Sequence, residues 1–73
     1  MAKNAPIITH TEALCFAIAY LDIRIGEIMR KADGLPENHP TTTLCLNMAA
    51  PYMTKRETLC QLYLIETGTE YNG

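Results

Sequence analysis

The side chains with chemistry to offer are few and scattered. His10, His39, Cys15, Cys45 and Cys60 are the candidate metal ligands. No two of them have the two-residue gap with which a loop grips zinc. His10 and Cys15, five apart, leave a helix on different sides. Neither a metal nor another cofactor is expected. The cysteines are odd in number and widely spaced, so they read as buried thiols of a reducing compartment rather than a disulfide framework. Nucleophilic catalysis needs a Ser or Cys beside a base. The chain has no serine, and Cys15 and Cys60 sit within apolar runs, the setting of inert structural thiols. There is no glycine-rich phosphate loop, and a chain this short has little room for a cleft with paired carboxylates. An enzyme is not expected.

The basic residues suggest one further chemistry. Lys55 and Arg56 are adjacent, with Gln61 following. If residues 44–64 formed helix, turn and helix, with Pro51, Tyr52 and Met53 as the turn, these three would face a DNA groove. The formal net charge is −2, few other cations are available for phosphates, and a proline suits that turn poorly. A small helix-turn-helix-like DNA-binding regulator is therefore the alternative reading, and nucleic acid is not the expected partner.

The element that organises the chain is a helix over about 10–33. Thr9 and Glu12 have the spacing of a capping box, in which each side chain satisfies the other's backbone N–H. Leu14, Ile18, Leu21, Ile25, Ile28 and Ala32 recur at steps of three and four, which draws one apolar stripe. Arg30 and Lys31 suit the negative end of the helix dipole. Gly34 and Pro36 stop it. Glu27 and Lys31 are spaced for an exposed ion pair. Gly26 is the discordant residue, costing about 1 kcal/mol against Ala in a helix interior.

Two shorter helices are expected to follow the Asp33–Pro40 break, which is long enough for an antiparallel return. One covers about 41–50, from Pro40 to a stop at Pro51. The other covers about 55–67, with Thr54 and Glu57 as a second capping box and Gly68 as terminator. The fold class is all-α in one small domain, 1–73, with 1–8 an extended arm and 69–73 a frayed tail. The alternative is α+β, with 42–48 and 58–65 as strands, since threonines and branched residues favour extended chain.

What the long helix does follows from its second face. Phe16, Ala19, Tyr20 and Ile23 lie across from the stripe, where a monomer's surface helix is polar. A 73-residue chain has a small core and gains stability by association. The expectation is a non-enzymatic protein-binding regulator, inhibitor or assembly subunit, of the kind common among phage and mobile-element accessory factors. It acts through Phe16, Ala19, Tyr20 and Ile23, with the two aromatics as anchors, on an unidentified target or on itself as a homo-oligomer. No leader-like segment or membrane-length apolar run is read, so the cytoplasm is the expected location.

Overall fold

The fold is that of a computed structural model, which describes residues 8–72. It consists of two helices, α1 (His10–Arg30) and α2 (Pro40–Thr67), packed antiparallel as a hairpin. Cross-pairs from one end to the other set the direction: His10 with Glu66, Asp22 with Arg56, and Arg24 with Tyr52. The predicted arm lies outside the described residues apart from Ile8, which is exposed.

The start of α1 is held as its sequence predicts. Thr9 N–H donates to Glu12 Oε1 at 2.8 Å, and Glu12 N–H donates to Thr9 Oγ1 at 3.0 Å. Two of the four donors that a helix start leaves open are satisfied by these bonds. Leu14, Ile18, Leu21 and Ile28 are its buried residues. The helix gives way at Lys31 to tighter turns. Ala32 N–H donates to Met29 O and Asp33 N–H to Arg30 O, before Gly34 breaks the coil at φ 80°. The end falls a few residues before the predicted 33 because those last bonds span three residues instead of four.

The second half of the chain differs from the prediction. One helix of 28 residues stands where two shorter ones are expected, and no strand occurs among the described residues. Its start is capped by His39, whose Nδ1 accepts from Thr41 N–H at 3.0 Å, with Pro40 in the first turn. Thr42 Oγ1 donates back to Pro36 O at 2.9 Å and ties the loop to the helix. Its end is Gly68, left-handed at φ 75°, whose N–H donates to Leu64 O at 2.7 Å.

Pro51 therefore lies inside α2 and does not close a helix. A proline in a helix interior removes one hydrogen bond and crowds the preceding turn, at a cost of about 3 kcal/mol. The turns on either side are held by packing. Ala49 is fully buried with Cys45 against Ile28 and Ala32, and Tyr52 packs on the same cluster. Breaking the helix at Pro51 would pull Ala49 and Tyr52 apart from that cluster. Thr54 and Glu57, with capping-box spacing, are interior residues, since the backbone donors they would serve are already bonded along the helix.

The seam is unequal. α1 contributes large aliphatics, whereas the buried residues of α2 are Thr42, Cys45 and Ala49. Small residues on α2 let the two backbones approach closely around the α1 stripe. Two helices make a single layer, and a layer leaves both of its broad sides uncovered. The radius of gyration is 16.0 Å, against about 11 Å for a compact chain of this length.

Candidate protein-interaction surface

The apolar residues left outside the seam define the candidate surface. Phe16 is 64% exposed, Tyr20 58% and Ile23 60%. Ala19 is exposed as well. The four residues predicted for partner binding are thus all on the outside of the hairpin, but they do not form one patch. At 100° per residue, Phe16 and Ile23 lie on the edge turned away from α2, Tyr20 on one broad side and Ala19 on the other.

Tyr20 has neighbours that α1 alone does not reveal. With Ala17 and Leu21 it forms one wall of a groove of about 410 Å³ whose other wall is Lys55, Thr58 and Leu59 of α2. A second hollow of about 460 Å³ continues on that broad side towards the loop, lined by Arg24, Ile28, Met48 and Tyr52 among others. The groove exists because Ala17 and Thr58 are too small to close the space between the helix shoulders. No local pattern in either helix announces it.

α2 itself carries most of the uncovered apolar area. Leu44, Leu46, Met48, Met53, Leu62, Leu64 and Ile65 are all exposed, Ile65 by 77%. Their spacing follows neither three nor four residues consistently, so they ring the helix instead of striping it. The sequence signal for them was present, as a helix apolar on more than one side. It was divided between two shorter helices, each with a separate expected packing.

Several charged groups are engaged within the chain. Arg24 donates to Glu27 Oε1 at 2.6 Å, displacing the predicted Glu27–Lys31 pair. Arg24 is the better placed partner because its guanidinium also lies over the Tyr52 ring, 5.9 Å from the centroid. Beside Tyr52 and Glu27 this guanidinium holds its proton more firmly than usual. Lys55 Nζ lies 6.0 Å from the same ring centroid. Arg56 turns towards α1 and binds Asp22 through Nε, with Nη2 a further 3.4 Å from Asp22 Oδ2. That hydrogen bond raises the Arg56 pKa.

Lys55, Arg56 and Gln61 therefore do not assemble into a groove-reading surface. Arg56 and Gln61 share a hollow with Glu57, Glu70 and Tyr71, where Arg56 is also held by Asp22, while Lys55 rims the Tyr20 groove. The turn expected at Pro51, Tyr52 and Met53 is continuous helix. The three cysteines are unpaired, Cys45 buried and Cys15 and Cys60 half-buried. Among the described residues no three His, Cys, Asp or Glu side chains cluster as a metal site would require, and no helix is long and apolar enough to cross a membrane. Tyr71, in the tail, packs edge-on against Tyr63 with centroids 5.4 Å apart.

Compared with protein-family models, with curated proteins and with solved structures, the chain matches none of them.

Proposed function

We propose that this chain is a non-enzymatic protein-binding module, a small cytoplasmic regulator, inhibitor or assembly subunit that works by completing its apolar surface with another chain. The observation that carries this reading is the imbalance within the hairpin. Its seam takes four large aliphatics, all from α1, while α2 holds seven large hydrophobics outside it. Scattered exposed apolar residues are ordinary on a monomer, but a contiguous apolar surface marks a site of association. Phe16, Tyr20 and Ile23 add exposed apolar side chains on α1.

The test is chemical cross-linking of the tagged chain, first purified and alone, then in extract of its own cells. The expected result is a discrete adduct larger than 8.2 kDa in at least one setting, lost in a Phe16→Glu, Tyr20→Glu double variant that keeps its helical circular dichroism. A chain that stays a single species in both settings overturns the reading.

A further inference from the structure

The two ends of the hairpin are fastened by different chemistry. At the open end, α1 starts on the Thr9 hydroxyl and the Glu12 carboxylate. At the loop end, α2 starts on an imidazole. His39 Nδ1 accepts from Thr41 N–H at 3.0 Å. Pro40 brings no N–H of its own, so the Thr41 donor is the first that this helix start must satisfy. No acidic residue stands in the first turn of α2 to take over the task. The rest of the corner hangs on the same residue. His39 N–H donates to Pro36 O at 3.0 Å, and Thr43 N–H donates to His39 O at 3.1 Å. Buried Thr42 donates to that same Pro36 O through Oγ1.

An imidazole nitrogen accepts a hydrogen bond only while it carries no proton. The His39 cap therefore exists in one charge state, the neutral ring with its proton on Nε2. We infer that His39 is a pH-sensitive latch on the loop end of the hairpin, closed at neutral pH and above and released as the pH falls through about 6–7, where imidazoles gain their charge. On protonation Nδ1 becomes a donor facing the Thr41 donor, and a cation stands at the positive end of the α2 dipole. Both changes oppose the first turn. That turn carries Thr42 and leads to Cys45, which packs with Ala49 on Ile28 and Ala32. Release thus loosens the loop-end core as well as the cap. The charged residues of this corner are Lys31 and Asp33 after α1 and Glu37 in the loop. Among the described residues no carboxylate forms an ion pair with His39, so none holds the charged ring in place. The other histidine responds with the opposite sign. His10 Nδ1 lies 3.6 Å from Glu66 Oε2 at the open end and gains an ion pair when protonated, though an exposed one of small effect. Acid therefore loosens the loop end and leaves the open end fastened.

Chemical denaturation of the full chain and of its His39→Asn variant, each at about pH 8 and about pH 5, tests the latch. Asparagine is among the best helix caps and does not titrate in this range. On acidification the wild-type folding equilibrium constant is expected to fall about five- to tenfold relative to that of the variant, the size of one lost cap with an adverse dipole contribution. Taking the two chains as a ratio cancels His10, Glu66 and every other group they share. Amide hydrogen exchange places the change. At the lower pH, Thr41 to Cys45 lose protection in the wild type relative to the variant, while the start of α1 does not. A ratio that is the same at both pH values overturns the latch. So does a neutral wild-type His39 whose ring-nitrogen NMR signals put the proton on Nδ1, a readout that does not depend on the variant.

Discussion

α1 and α2 solve the same packing problem in opposite ways. α1 gathers its large aliphatics into one stripe, buries them, and leaves Asp22, Arg24, Glu27 and Arg30 for water and ion pairs. α2 gives the seam a threonine, a cysteine and an alanine and keeps its leucines and methionines outside. The first helix buries most of its stripe against its partner and leaves Phe16, Tyr20 and Ile23 exposed. The second leaves seven large hydrophobics exposed, and it is also the one that carries a proline in its interior. The hairpin is thus made by α1, while the surplus of apolar surface belongs mainly to α2. Such a division suits a small chain whose internal core and external contact are drawn from different elements.

The contrast is broken most directly at Ile18, the largest fully buried side chain. Ile18→Ala removes methyl groups from the centre of the seam and is expected to cost about 2–5 kcal/mol. In a chain this short that is a large share of total stability, so loss of the cooperative transition in thermal circular dichroism is expected. Retention of the wild-type midpoint would mean that α1 does not rely on its stripe. An equivalent apolar deletion on the outer face of α2, Ile65→Ala, should cost the isolated chain far less, because Ile65 is already solvated.

Pro51→Ala probes the other helix with the opposite sign. If α2 is continuous, removing the ring restores a bond and relieves crowding, and stability should rise by up to about 3 kcal/mol. Chemical denaturation measures it, and a fall in the midpoint would show that the proline ends a helix. Gly26→Ala tests α1 more gently. A Cβ at Gly26 meets nothing within 4 Å, so the gain should be about 0.5–1 kcal/mol from the stiffer unfolded chain and better helix propensity. Gly34→Ala is the control that should lose stability, since Gly34 has φ 80°. The smallest effect is expected from Asp22→Asn. The pair with Arg56 joins the two helices, but both side chains remain more than a third exposed, and such pairs contribute about 0.2–1 kcal/mol. Raising the salt concentration should reduce even that difference.

Much of α1 was legible because its signals are local. Thr9 and Glu12 find each other within one turn, the stripe repeats every three or four residues, and Gly34 needs only its own backbone to stop the coil. The same logic succeeded at Gly68. It failed at Pro51 because local chemistry there argues for a stop, and the argument for continuity comes from Ala49 and Tyr52 seated on Ile28 and Ala32, some twenty residues away in sequence. The candidate surface divides likewise. That Phe16, Tyr20 and Ile23 face outward follows from their phase on α1. That Tyr20 shares a groove with Thr58 and Leu59 depends on the register of the hairpin.

The amino-acid sequence by itself favoured an all-α chain over an α+β alternative. It located the start of the first helix, the glycine beyond its end and the glycine that ends the second, and it carried an excess of apolar residues over what one stripe can bury. Only the tertiary structure decided that the second half is a single helix, that Arg56 is spent on Asp22, and that Tyr20 shares an apolar groove with Leu59. Caps, periodicity and turns act over three or four residues and are written in the local order of side chains. Burial depends on which residues the antiparallel pairing brings together, and that pairing is a property of the two helices jointly.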